Sequence, residues 1–292
     1  CCIYNFNYNN IRDTHIIITK TSIFFVFLTI FIKKVYEYWF MVELENKYRF
    51  GERRFGINWV GAYTLYLKET LRFLSVFGQT IVGPIITSIL FLAVISLAIG
   101  EDRSNVLGVP FIEFLAPGLI AMQVVQQAFS HSSSSLLMGK IMGNIVDLIG
   151  APLSAGEVTF AIIFASVTRA LMISIISIFV FSLMIEIEVK NYLIFFIYLF
   201  LSSFIMGAIG FIAGLWADKF DHMATATNFI IVPLSFLSGT FYSVERLPNF
   251  LNLLSHYNPF FHMIDGFRYS FINNMDGSLK FGLIYLSIIS IL

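Results

Sequence analysis

Long uncharged, apolar runs alternate with short polar segments along most of the chain. A membrane-spanning helix needs about 20 apolar residues, because the hydrocarbon core of a bilayer is about 30 Å thick. Runs of this length occupy residues 73–99, 115–138, 158–185, 192–217 and 223–244. A sixth run begins at Phe281 and stops at Leu292, before it could cross. The pattern predicts an all-α fold, a polytopic membrane helix bundle of six transmembrane helices with the last one truncated.

Two polar, aromatic-rich segments adjoin these spans. Residues 56–72 carry the amphipathic rings of Trp59 and Tyr63, which favour an N-terminal interfacial helix. An ordinary helical start to the first span fits this segment equally well. Residues 245–277 are too polar to span, and their two prolines follow helix-start patterns. We expect two short external re-entrant helices there.

The stretch 143–157 is neither apolar enough to span nor polar enough to be a plain linker. Its first half predicts a short amphipathic helix, which Gly150 and Pro152 would end. The apolar side of this helix would carry Ile145, Leu148 and Ile149, and the polar side Asn144 and Asp147. A short helix held between two spans at a membrane face could transmit force from a soluble partner. A tight turn with some helical character is the alternative.

The composition is that of a membrane protein, surrounded by lipid. The chain is 58% hydrophobic and 12% charged, with a mean hydropathy of +0.82, whereas soluble domains are about 25% charged. Zero net charge and the absence of a basic tract argue against nucleic acid as a partner. The two cysteines are adjacent at the start of the chain, so they build neither a disulfide framework nor a metal site. Nucleotide-binding and hydrolase motifs are missing from the sequence, so we expect this chain to bind no cofactor.

The N-terminal residues differ in composition from the rest of the chain. Residues 1–40 begin with cysteine and hold one apolar run that is too short to span. We expect them to be a non-native or disordered extension, with Met41 as the natural start. Residues 41–72 would form a cytoplasmic N-terminus with a connecting helix, and residues 73–292 the transmembrane domain.

The distribution of lysine and arginine predicts a cytoplasmic N-terminus, because cytoplasmic loops carry an excess of these residues. The predicted cytoplasmic side holds Lys47, Arg49, Arg53, Arg54, Lys68, Arg72, Lys140 and Lys219, and the opposite side Arg103, Lys190, Arg246, Arg268 and Lys280.

The second span carries a stripe of six polar side chains at spacings of three and four residues, which places them on one helical face. This polar stripe consists of Gln123, Gln126, Gln127, Ser130, His131 and Ser134. Such groups are costly in hydrocarbon unless they face protein or water. The stripe is therefore an interhelical hydrogen-bond seam, the lining of a substrate path, or both. We expect His131 to be a hydrogen-bonded member rather than a proton relay. The opposite face, with Leu119, Val125 and Leu136, can meet lipid.

The third and fourth spans hold two further features. Arg169 is the one formal charge within the third span and lies too deep to snorkel, so it should bond to carbonyl groups or to the polar stripe. It could hold neighbouring helices together, or it could line the substrate path. The fourth span has a small-residue face suited to close helix packing. This face consists of Ser203, Gly207, Gly210 and Gly214.

Several short motifs occur along the chain. Each is weak evidence alone, but their order and spacing together are specific for one protein family. The motifs are FLAPGL at 114–119, SSSS at 132–135, GNIVD at 143–147, PLS at 152–154, LSGTFYS at 237–243, LP at 247–248, NP at 258–259 and GFRY at 266–269. With these motifs, the chain from about Trp59 onward resembles a permease subunit of the ABC-2 type exporter family. Within that family it is most similar to bacterial permeases grouped with polysaccharide, nodulation-factor and drug exporters.

The resemblance implies a bacterial inner-membrane exporter with two permease copies, a homodimer being expected, and a separate ATP-binding cassette ATPase that carries ATP and Mg. It implies that a coupling helix near 144–154 docks on this ATPase. The contact residues would be Asn144, Ile145, Asp147, Leu148 and Pro152. The cargo would be an amphipathic, lipid-linked or polysaccharide-type molecule, or a drug.

Two other functions remain open from the residues alone. An ion-coupled secondary transporter would favour several acidic residues at mid-membrane, and the five predicted spans contain none. A membrane-embedded transferase would need a carboxylate or histidine constellation, for which His256, His262 and Asp265 are the candidates. We expect Asp265 to pair instead with Arg268 at a spacing of three residues on an external helix.

Overall fold

A computed structural model describes residues 57–99, 106–244 and 247–292; the predicted extension 1–40 and residues 41–56 lie outside this part. All regular secondary structure in the described residues is helical. The helices are α1 (Trp59–Ser75), α2 (Gly83–Ile99), α3 (Phe111–Ile141), α4 (Ile145–Gly150), α5 (Ala155–Ser182), α6 (Tyr192–Trp216), α7 (Phe220–Ala226), α8 (Val232–Leu237), α9 (Asn249–Tyr257), α10 (Pro259–Ile272) and α11 (Leu279–Ile291). Two π-helical turns, Gly78–Val82 and Thr227–Ile231, precede α2 and α8.

Four helical segments in the described residues are long and apolar enough to cross a bilayer. They are Gly78–Leu97, α3, α5 and α6, and they coincide with the first four predicted spans. The all-α, multi-pass character predicted from the sequence is therefore confirmed. The region of the fifth predicted span is divided into α7, a π-helical turn and α8, and α11 is a shorter apolar helix. The fifth and sixth spans stay predictions.

Helix α3 forms the centre of the bundle, so the prediction that its apolar face can meet lipid is wrong. Leu119, Val125 and Leu136 are all buried. They are covered because α3 packs against α5, α6 and α10. The helix also begins at Phe111, before the start of the predicted span at residue 115, so Pro117 lies in its interior. Buried Phe111 and Phe114 explain the earlier start, since the added turn extends the apolar core.

The small-residue face of α6 packs directly on the backbone of α3, as predicted. A Cβ atom added at Gly214 would lie 2.8 Å from the carbonyl oxygen of Ser133. One added at Gly210 would lie closer still to the carbonyl oxygen of Phe129. Only residues without a Cβ allow the two helices to approach this closely.

Replacing Gly210 by alanine should therefore destabilise the bundle by about 1–3 kcal/mol, the usual cost of overpacking. The backbone of α3 cannot yield as a side chain could. Gly156→Ala is a matched control, because a Cβ there meets nothing within 4 Å. The midpoint of thermal unfolding in detergent measures both variants. Equal midpoints would mean that α3 and α6 are farther apart than the structure shows.

Helix α1 runs lengthwise along α5. Its N-cap Asn58 bonds to Glu157 at the start of α5, and farther along the Tyr66 hydroxyl lies 2.8 Å from that of Thr168. One face of α1 is buried through Leu65 and Phe73, while Trp59 at the start of the helix is exposed. These contacts favour the interpretation of 56–72 as a helical lead into the first span. Placement at a membrane interface stays a prediction.

The two short helices predicted between 245 and 277 are present as α9 and α10, although their re-entrant placement is untested. The side chain of Asn258 caps α10 by accepting from the backbone N–H of Phe260 at 3.1 Å. The predicted Asp265–Arg268 pair does not form as expected, because each side chain bonds to backbone groups of another segment. His262 likewise bonds to a backbone carbonyl, that of His256, at 2.8 Å.

Candidate functional site

The stretch predicted to couple the protein to a soluble partner does form a short helix, α4. It is preceded by Gly143, whose φ of +77° suits glycine, and it ends at Gly150 as predicted. The polar residues Asn144 and Asp147 are exposed, whereas Ile145, Leu148 and Ile149 are half-buried. The helix is thus amphipathic, with one side against the bundle and the other free to meet a partner.

Leu148 anchors α4 on the bundle. It packs against one apolar cluster that contains Leu65 of α1 and Ala161 of α5, and against another that contains Leu136 of α3 and Phe211 of α6. Residues of four helices therefore contribute to the two clusters that Leu148 packs against.

Polar contacts inside the bundle occur at three levels along α3. The first level, at the end of α3 nearest α4, joins α3 to α1. Glu69 is buried, accepts from Arg72 Nε at 2.8 Å and accepts from the Ser135 hydroxyl at 2.7 Å. Arg72 also reaches the carbonyl oxygen of His131. The sequence reasoning missed Glu69 and Ser135 as site residues. The spacing of Glu69 and Arg72, three residues apart on one helical face, was the available signal.

The second level surrounds Arg169, which is buried as predicted. One guanidinium nitrogen donates to the side-chain oxygen of Gln127 and, at 3.2 Å, to the carbonyl oxygen of Thr80. Thr80 lies in the π-helical turn, an irregularity that often marks functional positions. Arg169 thereby links α5 to α3 and to the start of the first span. The predicted bonding is confirmed, and its role in transport stays a prediction.

The third level is formed by Gln123, which is also buried. Its amide nitrogen donates to the carbonyl oxygen of Pro84 at 2.8 Å and to the Ser88 hydroxyl. Its amide oxygen accepts from the Ser177 hydroxyl at 3.0 Å. Gln123 therefore joins the first, second and third spans, as an interhelical seam requires.

The remaining stripe residues are less constrained. Neither ring nitrogen of His131 has a hydrogen-bond partner among the described residues, so the prediction of a hydrogen-bonded histidine is wrong. Its ring instead lies against the edge of Phe73, with 5.5 Å between centroids. Ser134 bonds to its own helix, Gln126 is half-buried, and Ser130 is exposed. Part of the stripe, at Gln123 and Gln127, is thus bonded to neighbouring helices, whereas Ser130 is exposed.

Taken together, the fold and the site define a multi-pass membrane protein with a polar interior and a partly exposed amphipathic helix between two spans. The sequence profile of the ABC-2 type transporter family matches residues 60–272. The chain belongs to the ABC-2 type transporter family.

Named relatives agree with this assignment. The chain is 31% identical over 234 residues to the inner membrane transport permease YadH of Escherichia coli K12, a match that covers 80% of this chain and 91% of the relative. It is 20% identical over 214 residues to nodulation protein J of Sinorhizobium fredii NGR234, covering 73% of this chain and 82% of the relative.

Proposed function

We propose that this protein is the membrane-spanning permease subunit of an ATP-driven exporter in a bacterial inner membrane. It would have six spans and a cytoplasmic N-terminus, and it would act as a homodimer. A separate ATP-binding cassette subunit would bind ATP and Mg and dock on α4. The family assignment supports this proposal, together with the name of the E. coli relative. The cargo would be an amphipathic, lipid-linked or polysaccharide-type molecule, or a drug.

The observation that carries the proposal is the two-sided environment of α4. Its inner side is held by Leu148 against helices α1, α3, α5 and α6. Its outer side presents Asn144, Val146 and Asp147. A helix arranged in this way can accept a protein on one side and pass its movement to the spans on the other.

The polar stripe supports an export route between two copies of the chain. Ser130 is exposed on the surface of a membrane-spanning helix, next to the half-buried Gln126 and Gln127. Polar groups at this depth are stable when they face water or protein rather than lipid. A second permease copy against this side of α3 would enclose a polar path, with Arg169 and Gln123 at its wall and His131 and Ser134 toward the α4 end.

The test is copurification of the ATP-binding subunit with permease variants. Replacing Asp147 by lysine should reduce the recovered subunit about 10-fold or more, equivalent to about 1.4 kcal/mol of binding free energy, because a charge at the centre of the exposed side is reversed. Leu148→Glu should have a similar effect by detaching α4 from the bundle.

Asp221→Lys is the matched control, since Asp221 is an exposed acidic residue in the first turn of α7. It makes the same charge change outside α4 and should leave recovery unchanged. The amount of each variant in the membrane should equal that of the wild type. Full recovery with Asp147→Lys and Leu148→Glu would contradict docking at α4.

A further inference from the structure

The Glu157 carboxylate joins two segments that are far apart in sequence. One oxygen accepts the backbone N–H of Asn58 at 2.7 Å, and the other accepts the backbone N–H of Ser154 at 2.6 Å. Ser154 belongs to the turn between α4 and α5, whereas Asn58 is the N-cap of α1. A single side chain therefore holds the start of α1 against the turn that follows α4.

Asn58 strengthens this junction from the other side. Its side-chain oxygen caps α1 by accepting from Gly61 N–H at 3.0 Å, and its amide nitrogen donates to the Pro152 carbonyl oxygen at 3.4 Å. A Cβ atom at Gly61 would lie 2.7 Å from a methyl group of Leu153. The start of α1 and the turn after α4 are thus in direct contact.

An ordinary capping box does not require this junction. In such a box, Ser154 and Glu157 satisfy each other's backbone N–H groups at the start of α5, and both of these bonds are present. The additional bond between Glu157 and Asn58 is not needed to cap either helix, because the Asn58 side chain already caps α1 and the capping box already caps α5. Its effect is to tie two helix starts together.

We infer that Glu157 is a positioning residue that makes α1, the turn after α4 and the start of α5 move as one rigid unit. Displacement of α4 by an ATPase would then be delivered to α1 as well as to α5. This inference rests on the proposed function for its role in transport. The rigid junction itself concerns the permease alone.

The junction can be tested in the full-length permease in lipid nanodiscs, without any ATPase. Spin labels placed at Val60 of α1 and Val146 of α4, both exposed, report the distance between the two helices. Labelled protein diluted with unlabelled protein restricts the signal to pairs within one chain. The wild type should give one narrow distance distribution. Glu157→Gln should give a clearly broader one, because glutamine has one acceptor oxygen where glutamate has two, so its NH2 group would face one of the two N–H donors.

Ser154→Ala separates this role from helix capping, since it removes the capping hydroxyl but leaves the Asn58–Glu157 bond in place. Its distribution should stay narrow. Asn58→Ser keeps a capping oxygen but cannot reach Pro152, so an intermediate width is expected. This variant also serves if Glu157→Gln does not fold. Equal widths for Glu157→Gln and wild type, or equal broadening in Ser154→Ala, would overturn the inference.

A second arm adds the ATP-binding subunit that copurifies with the wild type. ATP should shift the environment of a label at Val60 in the wild type, and the shift should be lost in Glu157→Gln although the subunit remains bound. An unchanged shift in Glu157→Gln would overturn the role in coupling. Failure of the wild type to bind any ATP-binding subunit would refute the proposed function, while the distance result would still decide the junction.

Discussion

Replacement of Arg268 by methionine should lower the stability of the bundle by about 3 kcal/mol or more. The guanidinium is fully buried and donates to the carbonyl oxygens of Gly239 and Thr240 at 2.8 and 3.3 Å. It also lies 3.9 Å above the ring centroid of Phe114. Hydrogen bonds from a charged donor contribute about 1.5–3 kcal/mol each, and methionine leaves both carbonyl groups without this donor.

The stability lost in Arg268→Met should depend on pH because of Asp265. The carboxylate of Asp265 accepts hydrogen bonds from the backbone N–H groups of Asp276 and Gly277. Burial raises the pKa of Asp265 to about 6, while the charge of Arg268 acts to lower it. Without Arg268 the folded-state pKa should rise further, and the unfolded value should not change. The folded protein then binds the extra proton, so the variant gains stability as the pH falls through the folded-state pKa.

Unfolding midpoints measured at pH 8 and pH 5 test both statements. Arg268→Met should lose more stability at pH 8 than at pH 5, and adding Asp265→Asn should remove most of this difference. Lys280→Met is the control, because Lys280 is an exposed cation on α11. A loss for Arg268→Met no greater than that of the control would show that Arg268 does not hold the 239–240 turn.

The first four spans could be predicted because length and hydropathy are properties of a continuous segment. Their positions follow from about 20 apolar residues in sequence, whatever surrounds them. The close packing of α6 on α3 was also visible, because glycines at spacings of three and four residues leave a groove on any helix. These features depend on local sequence, and the structure reproduces them.

Features that depend on the position of an element in the bundle were not predictable. Periodicity separated the two faces of α3, but it could not show that the apolar face, with Val125, is also buried against other helices. The face that meets lipid is decided by the number of neighbouring helices. Arg268 and Asp265 were predicted to pair with each other, yet their partners lie in turns near Gly239 and Gly277 that only the tertiary fold brings to them.

The polar stripe shows the same division. Its six residues share a helical face, as the spacing predicted, but in the structure some of them are bonded to other helices and one is exposed. Gln127 holds Arg169, so a cysteine at Gln127 would break one of the contacts that close the seam. Ser130 is exposed, and its hydroxyl is not engaged in this seam. It is therefore the better position for a test of water access.

We expect a cysteine at Ser130 to react with a water-soluble thiol reagent at least about 10-fold faster than a cysteine at Leu90. Both positions are exposed on membrane-spanning helices. The reactive species is the thiolate, which requires water. Leu90 belongs to an apolar stripe with Ile86 and Val94 that suits contact with lipid. Cys1 and Cys2 are changed to serine in both variants.

If the proposed export route passes Ser130, adding ATP and the ATP-binding subunit should change the rate at Ser130, because such a route must open and close, whereas the rate at Leu90 should not change. Labelling after both variants are denatured in detergent should be equal at the two positions, and so establishes that each cysteine is present. If the water-soluble reagent reacts at Ser130 no faster than at Leu90 in every nucleotide state, the exposed side of the stripe meets protein rather than water. Gln123, Gln127 and Arg169 would then act only in helix packing, and the cargo would cross elsewhere.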